Sequence, residues 1–445
     1  SSAPSRTFCS KKNAQEKSIE YQKALSRKEP ERRTGRFGSF LLPAEGCRPS
    51  RGRLQAGGRK KETTMDIAKN DDILEKSGYL LLDRATLIEN YRKLQRHVGP
   101  EVTLIPVVKG NCYGYGAEEI TDVLVNDCRV RVIGVGALCE GTAMRRRGVA
   151  CDLMLLGGIA PQQYHIALHN DIIISIFRPE CALAYEELCA AEGRVGRIQI
   201  KIETGMNRLG VRPGEDLAVL LTTLAACPHL SVCGVYSHFA TATNCVNDAF
   251  TIEQHDRFMR GLRQIEAAGI RAQYVHCCNS AAVTWFEEAF HNSVRVGGIL
   301  YGHLVMEDGV EPVDIQEIIT LRAYITNLHT MPAGESIGYP QKFRSGTDLQ
   351  LATLSVGFAD GIPVDYARGQ GPILVHGRRT RFLELCMDQS IIDVTGIPCK
   401  VGDEVTLIGQ DGDERISVYS IEKRTGRTFD ALLTFISDRI ARICR

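Results

Sequence analysis

The sequence predicts an α/β chain: a (β/α)8 TIM barrel, then a mostly β C-terminal domain, with a basic N-terminal tail. Three observations predict it. From about residue 77, short β-branched or aliphatic runs alternate with amphipathic stretches, as in βαβ units on a parallel sheet. After about residue 320 the pattern changes to short strands between Gly-rich turns, as in an all-β domain. The charge also changes sign along the chain. Residues 1–64 hold 16 Lys and Arg against six Glu and no Asp, whereas residues 65–445 hold 38 Lys and Arg against 47 acidic residues. The expected division is a tail over 1–64, a barrel over 65–320 and a β-rich domain over 321–445.

Taken in order, the tail contains Lys11-Lys12, Arg32-Arg33 and Arg59-Lys60-Lys61 with Gly and Pro between them. Such a composition buries too little apolar surface to offset ordering entropy, so disorder is expected. It reads either as a targeting or nucleic-acid tail or as a stretch foreign to the natural protein. The first Met is Met65, and six Glu do not suit a transit peptide.

The barrel strands are expected at Tyr79 to Leu82, Val102 to Val108, Val132 to Val135, Leu153 to Leu156, Ile172 to Ile176, Ile198 to Ile202, Val232 to Tyr236 and Tyr274 to His276. Eight such runs over roughly 230 residues fit a closed barrel better than an open sheet. Strands of the second domain are expected at Leu321 to Leu328, Leu351 to Val356, Pro372 to Val375, Ile391 to Val394 and Val405 to Ile408.

Composition excludes several function classes. At 44% hydrophobic and 24% charged, the chain can fill real cores. No apolar run reaches the roughly 18 residues of a membrane span, so no membrane partner is expected. The acidic body is a poor match for nucleic acid. Sixteen scattered cysteines without a CxxC pair read as reduced thiols of a cytoplasmic protein, with no metal expected.

On a barrel, catalytic residues close the C-terminal ends of strands. Lys109 ends one strand, and Gly110-Asn111-Cys112-Tyr113-Gly114 follows. Such a lysine is either a solvated end group or a Schiff-base nucleophile beside a loop that cradles phosphate. Lys201 ends another strand, followed by Arg208; His238 and His276 end two more. Together they point to a converging polar site.

These motifs resemble the alanine racemase family, pyridoxal-phosphate enzymes of barrel-plus-β-domain architecture. Val108 to Gly114 resembles the cofactor-lysine motif, and Lys201 to Gly210 the KxDTGMxRLG motif. Ser237 to Ala242 resembles THFATA, His276 to Ala281 resembles HxxNSA, and Val294 to Gly297 with Leu300 to Gly302 resembles VRPG…YG. Ile337-Gly338-Tyr339 and Cys386-Met387-Asp388-Gln389 resemble the catalytic tyrosine and SMDQ motifs.

The resemblance implies interconversion of L- and D-alanine by two opposed acid/base groups, with Lys109 forming the cofactor aldimine and Tyr339 entering from the other subunit of a homodimer. It implies that His238 and Arg295 relay toward Tyr339, with Arg295 also facing the pyridine nitrogen. Tyr113, Ser280, Gly297 and Gly298 would hold phosphate, and Arg208, His276 and Asn279 would complete the cofactor site. Lys201 matches a lysine that is often carbamylated. Met387, Arg208 and Asp438 would meet the substrate, and D-alanine for bacterial cell walls is the family's role. The chain departs from the pattern at Glu203, Gly298, Phe358, Thr243 and Val364, and at Asp438 and Glu384, which stand where the family carries Tyr and Arg. The expectation from those two carboxylates is an altered rim, with Asp438 either paired to Arg439 or Arg442 or selecting serine or a basic amino acid. A non-catalytic carrier of pyridoxal phosphate is the alternative of another class, which Tyr339 and the Met387 motif argue against.

Overall fold

The first strand, β1 (Gly78–Leu82), does not enter the barrel. A computed structural model describes residues 71–445 except 245–247, 305, 307–312, 340 and 342; the 1–64 tail lies outside the described residues. Barrel strands follow as β2 (Thr103–Pro106), β3 (Val132–Val135), β4 (Asp152–Leu155), β5 (Ile172–Ile176), β6 (Gly196–Lys201), β7 (Leu230–Tyr236), β8 (Tyr274–His276) and β9 (Ser293–Val296). Strands β3 to β8 pair in sequence order, all parallel, and β2 pairs in parallel with β9. A bridge from Val107 to Gly134 joins β2 to β3, and the Arg295 N–H donates to Cys278 O beside β8, which closes the circuit of eight.

The barrel therefore has its eight strands, but one differs from expectation. Tyr79 to Leu82 belongs to the second sheet, and β9 takes its place. The reason is physical. A continuous apolar run reports burial on both faces, which β1 has at every position, but not which sheet does the burying. The β9 segment Ser-Val-Arg-Val hides its strand character behind a buried Arg.

Helix ends follow ordinary capping chemistry. Asp83 accepts from the Thr86 N–H at 2.9 Å and starts the helix Arg84–Val98; Asp248 does the same for Thr251 at 2.8 Å and Ala249–Ala267. Pro179 opens Pro179–Glu192, which Gly193 ends at φ 61.

The second sheet comprises β10 (Ile319–Met331), β13 (Leu349–Leu354), β14 (Pro372–Val375), β15 (Arg378–Leu385), β16 (Ser390–Asp393), β17 (Glu404–Asp411), β18 (Glu414–Ile416) and β19 (Ile440–Cys444); β11 (Ser336–Ile337) and β12 (Phe343–Arg344) form a small separate ladder. The order β10-β13-β16-β15-β14-β17 returns to β10, so these six strands form a closed ring without a free edge among them. Strand β1 lies between β10, antiparallel with Leu82 opposite Ile319, and β19, parallel with Leu82 opposite Cys444. One apolar core runs from the barrel, through Leu80 and Leu82, into this ring.

Candidate active site

A cavity of about 310 Å³ opens at the C-terminal ends of the barrel strands. Lys109, Tyr113, Lys201, Arg208, His238, Asn279, Ser280, Arg295 and Gly297 all line it. Nine residues read from the sequence thus converge. Among the described residues its lining carries four cationic side chains and no carboxylate. That is a site for an anion.

Lys109 follows β2 in extended conformation, and the three residues Asn111, Cys112 and Tyr113 then turn left-handed at φ 50, 54 and 55. Left-handed turns cost non-glycine residues roughly 1–2 kcal/mol each, so the surroundings must hold this one. Glu140 does so. Its Oε1 accepts from the Gly110 N–H at 2.6 Å, and its Oε2 from Gly136 and Ala137 at 2.8 and 3.0 Å. The motifs did not point to Glu140; its spacing three residues after Ala137, at a helix start, was the available signal. The Lys109 ammonium is held below its ordinary pKa, first by loss of water and then by the Arg208 charge.

The Tyr113 hydroxyl lies over Gly297, where a Cβ would stand 2.5 Å from it. Only glycine leaves that space. The Ser280 hydroxyl accepts from the Gly297 N–H at 3.0 Å. Burial keeps the Tyr113 phenol protonated, so it can donate.

Arg295, on β9, is buried and almost saturated with acceptors. Its Nη1 donates to His276 Nδ1 at 2.5 Å and to His276 O at 3.2 Å. Its Nη2 donates to Ser237 O at 2.8 Å, His238 Nδ1 at 3.0 Å and Cys277 O at 3.0 Å. Burial, then the Arg295 charge, holds both imidazoles well below 6.5 and neutral. A neutral ring that accepts at Nδ1 carries its proton on Nε2, so His238 presents an Nε2–H. His276 stacks on Tyr236 at 5.2 Å beneath the cavity rather than lining it, and its buried Nε2 has no partner.

Lys201 ends β6 with its Nζ 4.5 Å from the centre of the Tyr236 ring. Burial, then Arg295 and Arg208, pushes its amine down to about 7. Tyr236 was not singled out in the sequence; its hydroxyl, 2.8 Å from Ser175 and 3.0 Å from Leu156 O, fixes the floor on which Lys201 and His276 rest.

The remaining candidates lie elsewhere. Gly298 is buried behind the cavity, where a Cβ would strike Phe429. Tyr339 is 79% exposed on the turn after β11, and Met387 is 57% exposed. Neither lines this chain's cavity. Asp438 takes the first of its two expected places: its carboxylate is fully exposed and 3.8 Å from Arg442, on a different hollow from the cavity. Glu384 is no rim carboxylate either. It is buried against Gly338, behind the Tyr339 turn, with Arg368 at 3.8 Å.

Residues 82–305 match the family description "Alanine racemase, N-terminal domain", and residues 318–444 match "Alanine racemase, C-terminal domain". A protein named alanine racemase from Halothermothrix orenii is 32% identical over 81% of this chain and 95% of its own length. Among solved structures, alanine racemase from Bacillus anthracis with bound L-Ala-P is 28% identical, covering 83% of this chain and 95% of that one, with a TM-score of 0.76. A histidine racemase from Leuconostoc mesenteroides shares the fold at a TM-score of 0.76 and 24% identity, over 83% and 98%.

Proposed function

The chain belongs to the alanine racemase family, and we propose that it interconverts L- and D-alanine with pyridoxal phosphate as cofactor, at sites shared between two copies in the cytoplasm. The observation that carries this reading is the cavity's basic lining, with Arg208 and Arg295 as fixed cations, Lys109 among its amines and no carboxylate. A phosphate dianion and a substrate carboxylate balance such a site, whereas a neutral ligand would leave it uncompensated.

The residues fit the cofactor. Tyr113 and Ser280 offer hydroxyls, and Gly297 leaves the space a side chain would fill. Arg295, too basic to lose its proton, would support the pyridine end, held by His276 from beneath, and Asn279 would add a further lining group. When bound, pyridoxal phosphate supplies the electron sink that acidifies the substrate Cα–H. Lys109 Nζ, with its lowered proton affinity, holds or gives the proton on one face. The opposite face needs a second group, and Tyr339 is the family's choice. Its exposure, outside the lining of this chain's cavity, supports delivery by a second copy, along with Met387 for the substrate carboxylate. His238 Nε2–H and Arg295 then form the relay that meets the phenol.

Lys201 is the residue we assign to carbamylation. An amine that titrates near 7 is substantially uncharged at neutral pH and free to add carbon dioxide, and the resulting anion would hold Arg208. In this reading 65–320 is the cofactor-bearing part and 321–445 supplies Tyr339. Asp438, exposed beside Arg442, gives no support to serine or basic substrates. Free thiols such as Cys112 and Cys189 suit a reducing compartment.

The test is the purified chain reconstituted with pyridoxal phosphate. It should gain a visible absorbance band and racemise L-Ala faster than L-Ser, L-Lys or L-His. A chain that racemises none of them, or that prefers L-His, overturns the assignment.

A further inference from the structure

One residue beyond His276, three side chains from separate elements meet outside the cavity. His255 stands on the helix Ala249–Ala267, Cys277 follows β8, and His291 lies in the turn before β9. Their ligand atoms all lie within 4.8 Å of one another, and the two Nε2 atoms are 3.3 Å apart. His291 is held at φ 50, a conformation non-glycine residues adopt only where the surroundings enforce it.

We propose that His255, Cys277 and His291 form a zinc site, with water as the fourth ligand of a tetrahedron. Zinc–nitrogen bonds of about 2.0–2.1 Å place two tetrahedral ligands about 3.3–3.4 Å apart, and a zinc–sulfur bond of about 2.3 Å sets sulfur about 3.6 Å from each nitrogen. The two nitrogens already stand at that separation. With all ligand atoms within 4.8 Å, the sulfur has at most about 1.2 Å to close, within reach of a side-chain rotation.

The surroundings suit the metal. Phe286 and Phe258 stand edge-on to His255 and His291 at 5.1 and 5.2 Å. That apolar shell leaves the two ring nitrogens facing each other and Cys277 with little competing polar surface. The Cys277 thiol donates to Ala289 O at 3.3 Å, and Cys278 donates to the same carbonyl at 3.2 Å. Cys277 can therefore leave that bond without orphaning the carbonyl. Binding forms two zinc–nitrogen bonds and one zinc–sulfur bond, and the thiol proton passes to water. Two imidazoles and a thiolate favour zinc over magnesium or calcium, which take oxygen ligands. No CxxC-type spacing announces the site, because its ligands come from a helix, a strand end and a turn.

The test loads the cofactor-bound full chain with zinc, dialyses away the excess and counts zinc per chain. X-ray absorption at the zinc edge then reads the ligands. One zinc per chain, bound to one sulfur and two imidazole nitrogens, is expected. Cys277→Ser, His255→Ala and His291→Ala should each lower retention at least tenfold, while Cys278→Ser should retain the metal. A chain that keeps no zinc overturns the proposal. So does zinc kept by Cys277→Ser, or a ligand shell in the unmutated protein without sulfur, a measurement that needs no variant to fold.

Discussion

The barrel mouth and the Tyr339 face of the second sheet are finished to different degrees. At the mouth, Arg295 has five acceptors, both imidazoles have defined tautomers, and Glu140 satisfies three N–H groups around the Lys109 turn. On the other face Tyr339 and Met387 project into solvent, 79% and 57% exposed, although the proposed reaction asks both to meet a substrate. A group that must hold or move protons needs a dry, charged setting, and a phenol in water has none. One region is complete within the chain; the other, in the proposed shared site, is completed by a second copy.

The largest effect tests that contrast directly. Lys109→Ala and Tyr339→Phe should each lower turnover by at least about 10²–10⁴-fold, the span of one proton-transfer group. Mixed and allowed to exchange, the two inactive chains should recover about a quarter of the unmutated rate, since half of the random pairs are hybrids with one intact site. Chiral chromatography of the products measures it. No recovery, or full activity in a sedimenting monomer, breaks the idea of a shared site.

A smaller effect sharpens the description of the mouth. Glu140→Gln keeps the size and one acceptor oxygen but turns an NH2 toward backbone N–H donors, which lose their acceptor. It should cost about 1–3 kcal/mol at the Lys109 turn, or roughly 5- to 150-fold in cofactor affinity. Cofactor titration followed by absorbance reads this, and unchanged affinity removes Glu140 from the positioning role.

Acid should expose the buried rings. His276 and His303 are buried and held neutral, His303 pushed down to about 3. The unfolded chain protonates each near 6.5, so below that pH it binds protons the folded chain refuses. Stability is unaffected above 6.5 and falls as pH drops toward the folded values, by up to about 1.4 kcal/mol per pH unit for each ring. Urea unfolding at pH 7.0, 6.0 and 5.0 should show this slope; a flat profile contradicts neutral buried rings.

The smallest effect belongs to Asp438. Exposed ion pairs contribute roughly 0–1 kcal/mol, so Asp438→Tyr should shift stability by less than that and leave the Ala/Ser and Ala/Lys turnover ratios unchanged. A ratio change of tenfold or more would return Asp438 to substrate selection.

Much of this was legible in the sequence because strand ends carry the chemistry. Lys109, Lys201 and His238 could be found as polar residues closing apolar runs and Arg295 only through its motif resemblance, and the cavity collects all four. What escaped was long-range. Tyr79 to Leu82 showed that it is buried but not by what, and β9 concealed a barrel strand behind Arg295. Glu140 works through backbone N–H groups, which leave little trace in side-chain motifs. For Asp438 the motif left two places open, beside the substrate or paired with Arg439 or Arg442, and only the structure puts it beside Arg442, off the cavity.

The insertion of β1 also sets an order of assembly. Gly78 aligns with Ile440 and Leu82 with Cys444, so a strand that precedes the barrel finds one neighbour only after both the barrel and the second sheet have been made. Until then one edge of β1 has its N–H and C=O groups open while the whole barrel lies between it and its partner. Such a pairing carries a high loop-closure cost and arrives late. Removing Ile440–Cys444 should therefore leave a chain whose barrel strands are all present yet whose first strand has a bare, apolar edge, a species inclined to recruit other chains.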